Sequence, residues 1–72
     1  MIKMYKWKIE IILKSGKEVT VYYEGVENSS GDVANKVLAE RENTVNGFSN
    51  KDNTKNIFIN ISEIASAAIS IA

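Results

Sequence analysis

The side chains that most often carry catalysis and metal binding are missing from this chain. Its 72 residues include no His and no Cys. Nucleophile–base pairs that use His and thiol chemistry need these residue types, so the sequence excludes them. The lack of His and Cys, the usual zinc ligands, also argues against a zinc site. Glu40 and Glu42 stand two residues apart near the expected end of a helix, where their carboxylates point in different directions. The sequence therefore predicts neither an enzyme nor a bound cofactor.

A polar segment at positions 50–56 has some of the spacing of a calcium-binding loop. Oxygen-bearing side chains occupy alternate positions: Asn50, Asp52, Thr54 and Asn56. An EF-hand loop that began at position 50 would need Gly at position 55 and Glu at position 61, where the chain has Lys55 and Ile61. We therefore interpret the segment as a solvated turn and predict no metal site.

The segment Ser29-Ser30-Gly31 precedes a predicted helix, and free backbone N–H groups at a helix start can bind an anion. Helix capping accounts for the same residues. Ser29 is a favourable N-cap, and Asp32 three residues later completes a variant of the capping box. We therefore predict a cap here and no phosphate-binding loop.

The charges of the chain balance, with nine basic and nine acidic side chains. Nucleic-acid binders usually carry a basic excess, because phosphate neutralisation supplies most of their affinity, so the composition argues against a nucleic-acid partner. No stretch approaches the roughly 18 apolar residues of a membrane span, and lysines interrupt the N-terminal segment. We expect one cytoplasmic domain, residues 1–72, that makes no membrane contact.

Hydrophobic residues make up 44% of this short chain. A core of this size does not hide them all, and neither disulfides nor zinc can add stability. Small domains without such links depend on very regular packing or on oligomerisation. We expect a homo-oligomer.

Two strands joined by a tight turn are predicted at the N-terminal end. Residues 4–14 alternate between apolar and polar side chains, and so do residues 18–24. A three-residue loop, Lys14-Ser15-Gly16, pairs Ile11 with Val19 and places its glycine where a positive φ is needed. A two-residue loop would mix the apolar and polar faces, so we predict the longer loop.

A short helix and two further strands follow. Apolar residues recur at helical spacing within residues 30–41, which predicts a helix over one face of the sheet. Strands are predicted at residues 44–49, where Gly47 suggests a bulge, and over the alternating residues 56–61.

The tail, residues 62–72, fits both a helix and a strand. Ile64, Ala68 and Ile71 share a helical face. Yet the segment also has the alternation of a strand, in which Ala67, Ile69 and Ile71 alternate with Ser66, Ala68 and Ser70. We favour a tight turn at residues 62–64 followed by a final strand. The predicted fold class is α+β, in the order β-β-α-β-β-β, as a strongly bent antiparallel sheet or a small open barrel with one helix.

Four side chains are candidates for a subunit interface or a ligand contact: Phe58, Tyr22, Asn60 and Lys8. They fall on the strand faces opposite to the predicted core, to which the other large aromatics, Tyr5, Trp7 and Tyr23, are assigned. Exposed aromatic rings can stack on a ligand or be covered by a partner subunit. A surface position without a special role is the alternative for Phe58.

Several segments are similar to known sequences: the Lys14-Ser15-Gly16 hairpin, the helix start at Asp32-Val33-Ala34, and residues 43–48 and 56–66. Together they resemble short uncharacterised proteins of phages and prophages in AT-rich Gram-positive bacteria. The resemblance implies a context and assigns no site residue. Such proteins often act by binding, as inhibitors, adaptors or oligomeric scavengers of host molecules.

The sequence thus predicts a small non-enzymatic binding protein, homo-oligomeric and phage- or prophage-encoded. It would inhibit or sequester a host molecule, with a small molecule or a protein as partner. One alternative is a barrel-like nucleic-acid-binding module that uses Lys6, Lys8, Tyr22 and Lys36, whose affinity would fall steeply with salt. Another is a structural or adaptor phage protein.

Overall fold

The computed structural model describes residues 2–39 and 44–72. The elements are β1 (Tyr5–Leu13), β2 (Glu18–Gly25), α1 (Ser30–Val37), β3 (Val45–Ser49), β4 (Asn56–Asn60), a 3₁₀ turn (Ile61–Glu63) and β5 (Ile64–Ile71). The strands form one antiparallel sheet in the order β4-β3-β2-β1-β5. The α+β class and the order of elements are confirmed, including the strand in the tail.

The hairpin of β1 and β2 has the predicted register. Ile11 lies opposite Val19, and the three-residue loop closes through the Gly16 N–H, which donates to the Leu13 carbonyl at 2.8 Å. Gly16 has a φ of 91°, in the left-handed region that glycine adopts without steric cost. Since a slip by one residue would turn every side chain of the strand over, this loop decides which face of β2 is buried.

The core lies between α1 and one face of the sheet. Val33 and Val37 of α1 are buried together with residues of β1, β2, β3, β4 and the 3₁₀ turn. The buried apolar residues are Trp7, Ile9, Ile11, Val21, Val33, Val37, Phe48, Ile59 and Ile61. Each such side chain contributes roughly 1.5–3 kcal/mol when it is removed from water. Tyr5 and Tyr23 pack half-buried against this cluster, on the predicted face.

The helix begins as predicted and ends earlier. Ser29 Oγ accepts a hydrogen bond from the Asp32 N–H at 3.2 Å. The helix ends at Val37 instead of near residue 41. The Val37 carbonyl, in the last turn, accepts from Asn46 Nδ2 at 2.6 Å, which ties the helix end to β3. Glu40 and Glu42 lie outside the described residues. No helix in the described part of the chain is long and apolar enough to cross a membrane.

The bulge predicted at Gly47 is wrong. The register of β3 with β4 runs without interruption from the Val45–Asn60 pair to the Ser49–Asn56 pair. Gly47 lies opposite Phe58, and a Cβ atom added to the glycine would lie 3.0 Å from Cε1 of the ring. The glycine therefore makes room for an aromatic side chain of the neighbouring strand.

The two edge strands, β4 and β5, are joined by the 3₁₀ turn alone. The Ile61 N–H donates to the Thr44 carbonyl at 3.0 Å, and the Lys14 N–H donates to the Glu63 carbonyl at 2.8 Å. The predicted turn is present, one residue earlier than expected, so Ile61 belongs to the turn and β4 ends at Asn60. The turn thus connects β4 and β5 at one end of the sheet, but these two described strands do not pair with each other, so the sheet is not closed.

Candidate functional site

The four candidate residues lie on the face of the sheet opposite the core, and they do not form one cluster. Lys8 lies directly opposite Tyr22 on β2, and Tyr22 lies opposite Ser49 on β3. Ser49 in turn pairs with Asn56 of β4, which places Phe58 two residues further along β4. The structure therefore brings Lys8 and Tyr22 together and separates Phe58 from them.

Lys8 and Tyr22 line a cavity of about 490 Å³. Its lining residues are Lys6, Lys8, Tyr22, Lys51, Ile71 and Ala72, and we call it the lysine cavity. Small-molecule sites occupy clefts of roughly 300–1,000 Å³, so its size suits a small ligand. Among the described residues, no Asp or Glu side chain lines it.

Four separate segments build the lysine cavity: β1, β2, the turn between β3 and β4, and the end of β5 with Ala72. Lys6 and Lys8 are alternate residues of β1, so both point to the outer face, and Lys51 belongs to the turn between β3 and β4. Asn50 Oδ1 holds that turn by accepting from the Thr54 N–H at 2.8 Å and from the Lys55 N–H at 3.1 Å. The turn residues that suggested calcium ligands thus fix the backbone and position a lysine.

Lys6 joins the turn to the sheet. Its Nζ donates to the Lys51 carbonyl at 2.9 Å and lies 5.6 Å from the centroid of the Tyr22 ring. An ammonium group at this distance from an aromatic ring is attracted by a cation–π interaction. The contacts orient both Lys6 and Tyr22, so this wall of the cavity is formed before any ligand arrives.

The predicted basic surface is only partly assembled. Lys6, Lys8 and Tyr22 meet in the lysine cavity, whereas Lys36 is on α1 and lines a separate hollow with Asn46. Lys51, which was not predicted, lines the lysine cavity together with Lys6, Lys8 and Tyr22. Sequence reasoning missed it because the turn between β3 and β4 gave no sign of where it would pack.

Phe58 and Asn60 have local contacts. Phe58 is 70% exposed, its ring lies over Gly47, and it borders a groove of about 370 Å³ between β4 and the end of the first hairpin. Asn60 Oδ1 accepts from the Ser62 N–H at 3.1 Å and from Ser62 Oγ at 2.8 Å, so it caps the 3₁₀ turn. The residues that line the groove include Lys17 and Glu63, which place charge beside β4.

Strand β5 pairs with β1 on one side. Along its other side no described strand lies, so this side is a free edge of the sheet. The Ala72 N–H donates to the Lys6 carbonyl at 3.1 Å. Because every second residue of an antiparallel strand bonds to the same neighbour, Ser70 and Ala68 also direct their backbone N–H and C=O groups to β1. The N–H and C=O groups that point away from the sheet therefore belong to residues 67, 69 and 71. We call this row the β5 edge.

The β5 edge lacks the usual protection of an edge strand. Residues 64–72 include no charged residue, no Pro and no Gly. Ala67 is exposed, and Ile71 is 74% exposed. Natural proteins commonly protect an edge with charge, Pro or a bulge, and here the register irregularity, opposite Leu13, affects only the start of the strand.

A hydrogen-bonded lock ties β2 to the segment before α1. The Tyr23 hydroxyl donates to Glu27 Oε1 at 2.5 Å, and Trp7 Nε1 donates to the Glu27 carbonyl at 3.1 Å. Burial, and then the hydrogen bond to Glu27, raise the pKa of Tyr23 to about 12. The hydrogen bond from Tyr23 lowers the pKa of Glu27. The pair keeps Tyr23 protonated and Glu27 ionised, so its role is structural.

Among the described residues, no three His, Cys, Asp or Glu side chains lie close enough to hold a metal ion. Comparisons of the chain with protein-family models, with curated proteins and with solved structures find no match. The lysine cavity and the β5 edge are therefore the two features of the described residues that bear on function.

Proposed function

We propose that this chain is a small non-enzymatic binding protein that works as a homo-oligomer. The observation that supports the proposal is the β5 edge, a row of outward N–H and C=O groups on a strand that has no charged residue of its own. A second copy of the same strand is a matching partner, because identical antiparallel strands satisfy one another about a two-fold axis.

The spacing of the outward groups selects one register for this pairing. With the axis at Ile69, each Ile69 faces its counterpart, and Ala67 of each copy faces Ile71 of the other. Every outward residue then exchanges two hydrogen bonds with its partner. A hydrogen bond contributes about 0.5–1.5 kcal/mol net. The exposed Ile71 side chain also lies beside a small alanine, where it has room to pack.

The pairing connects assembly with ligand binding. Ile71 belongs to the β5 edge, and both it and Ala72 line the lysine cavity. A molecule held there would lie beside the subunit contact, where ligand sites are common. We infer a protein that sequesters or inhibits a host molecule in the cytoplasm. Its resemblance to phage and prophage proteins supports that context. We also infer that the short β4–β5 link bends the sheet strongly, as in a small open barrel.

Native mass spectrometry of the untagged protein, with two matched variants, tests this proposal. Ala67→Lys places a charge on the β5 edge, and Asn56→Lys places the same charge on the opposite edge. Both positions are exposed. We expect wild type and Asn56→Lys to be dimers or higher even oligomers and Ala67→Lys to be monomeric, because its charge would be desolvated at the contact.

A monomeric wild type would overturn the proposal, and capture of an encoded protein would then favour the structural or adaptor alternative. An Ala67→Lys variant that stays assembled while Phe58→Asp dissociates would move the interface to β4. Circular dichroism of each variant separates loss of assembly from loss of folding.

A further inference from the structure

The lysine cavity also indicates a ligand class, and we infer that it binds a small phosphorylated molecule. This inference deepens the proposed binding function and rests on it. It follows from the charge of the cavity, from its size and from the distribution of carboxylates on the same face of the sheet.

The charged side chains that line the cavity are all lysines. Lys6, Lys8 and Lys51 converge from two distant segments, and no carboxylate side chain of the described residues lines the same space. Bringing like charges together is unfavourable, and a bound anion relieves the repulsion. An ammonium group acts as a point charge that suits phosphate oxygens.

The walls of the cavity are partly pre-ordered. Lys6 is fixed by its bond to the Lys51 carbonyl and by the Tyr22 ring. Less side-chain freedom is then lost on binding, which favours affinity. The Tyr22 ring lies beside the lysines on the same face, so a ligand with an anionic end and an aromatic end matches the lining.

The rest of this face favours a compact ligand over a polynucleotide. Glu10 lies next to Lys8 among the outer-face residues of β1, and Glu24 lies opposite Lys6 on β2. A nucleic-acid strand needs a continuous basic groove along its backbone, which these carboxylates interrupt. Lys36, the remaining lysine of the predicted basic surface, lines a different hollow. Lys6, Lys8 and Lys51 therefore form a local patch and not a continuous basic groove.

The proposed β5 pairing would add a donor to this site. In the register centred on Ile69, Ser66 of the second copy lies opposite Ala72, on the face that carries Lys6. Its hydroxyl would border the lysine cavity and could donate to a phosphate oxygen. Assembly would then strengthen binding.

Isothermal titration calorimetry at fixed low salt tests the inference with three probes: pyrophosphate, ATP and a short oligothymidylate. The test variant is Lys8→Ala/Lys51→Ala, which leaves the contacts of Lys6 with Tyr22 and the turn backbone in place. The control is Lys14→Ala/Lys17→Ala, which removes the same charge from exposed lysines at the other end of the hairpin. We expect ATP to bind wild type and control alike, and the test variant to bind at least about tenfold more weakly.

Equal affinities of the two double variants, or no binding of ATP or pyrophosphate to wild type, would overturn the inference. Tighter binding of the oligothymidylate than of ATP would replace the small ligand by nucleic acid. Oligomeric state, recorded on the same samples, separates the two proposals. A dimer that binds no phosphate contradicts only the ligand class, whereas a monomer that binds ATP contradicts only the β5 pairing.

Discussion

Strand β4 at one edge of the sheet has five residues, and strand β5 at the other edge has eight. In an antiparallel pair, the backbone N–H and C=O groups of successive residues point alternately toward and away from the neighbouring strand. The Ile61–Thr44 hydrogen bond shows that Asn56, Phe58 and Asn60 of β4 direct these groups away from β3. Lys17 and Glu63 lie in the groove that borders β4, whereas residues 64–72 have no charged side chain.

This contrast shows how one small sheet can have a protected edge and a receptive one. A partner strand at β4 would have to desolvate neighbouring charges, which is costly. A partner at β5 meets small and apolar side chains. The difference favours the β5 edge for self-association, although Phe58 of β4 has the largest exposed aromatic surface among the candidates.

The largest stability effect among the following tests is expected at Gly47, beneath Phe58. Gly47→Ala would place a Cβ atom 3.0 Å from the ring, so the ring must move. We expect the free energy of unfolding to fall by about 1 kcal/mol, within the usual cost of overpacking, while the oligomeric state is unchanged. Urea unfolding and native mass spectrometry measure the two quantities.

Two further variants make the Gly47 result specific. Adding Phe58→Ala to Gly47→Ala should make the double variant more stable than the sum of the single effects, because the crowding partner is gone. Gly31→Ala, where an added Cβ meets nothing within 4 Å, should not destabilise the protein. Dissociation of the Gly47→Ala oligomer would show that β4 takes part in assembly.

A smaller effect is expected from pH, because the Tyr23–Glu27 lock belongs to neither edge. The pKa of Glu27 is lowered in the folded state, so its contribution is present above the ordinary value of 4.5 and is lost as the pH falls below it. The pKa of Tyr23 is raised from 10.0 to about 12, so its contribution is lost as the pH rises from 10.0 toward 12. Tyr23→Phe should flatten the stability profile at both ends.

A salt series sharpens the comparison of the edges. Residues 64–72 contain no charged side chain, so dissociation of a β5-paired oligomer should change little between low and moderate salt. Pairing at β4, beside Lys17 and Glu63, would instead change as salt screens those charges. Sedimentation velocity across this range of salt distinguishes the two.

Patterns of apolar and polar residues within short segments were enough to predict most of the fold. The alternation of apolar and polar residues in β1 and β2 predicted which side chains are buried. Only the three-residue loop places the buried side chains of both strands on the same face, so the register followed from nearby residues. The tail was ambiguous by pattern and became a strand because β1 offers it a ladder of hydrogen bonds.

The remaining features depend on contacts between distant parts of the chain. The end of the helix at Val37 is tied to β3 by the bond from Asn46 to its carbonyl, and Gly47 makes room for Phe58 on another strand. Lys51 lies at the lysine cavity next to Lys6, 45 positions earlier, which donates to its carbonyl. Composition and periodicity along one segment do not encode such pairings.

Hydrogen exchange of individual amides at several protein concentrations tests the central claim most directly. If two copies pair through the β5 edge, the amides of Ala67, Ile69 and Ile71 become protected as concentration rises, while those of Asn56 and Phe58 exchange quickly throughout. The Ala68 and Ser70 amides, which bond to β1, serve as the internal reference. Fast exchange at Ala67, Ile69 and Ile71 at every concentration would contradict the account.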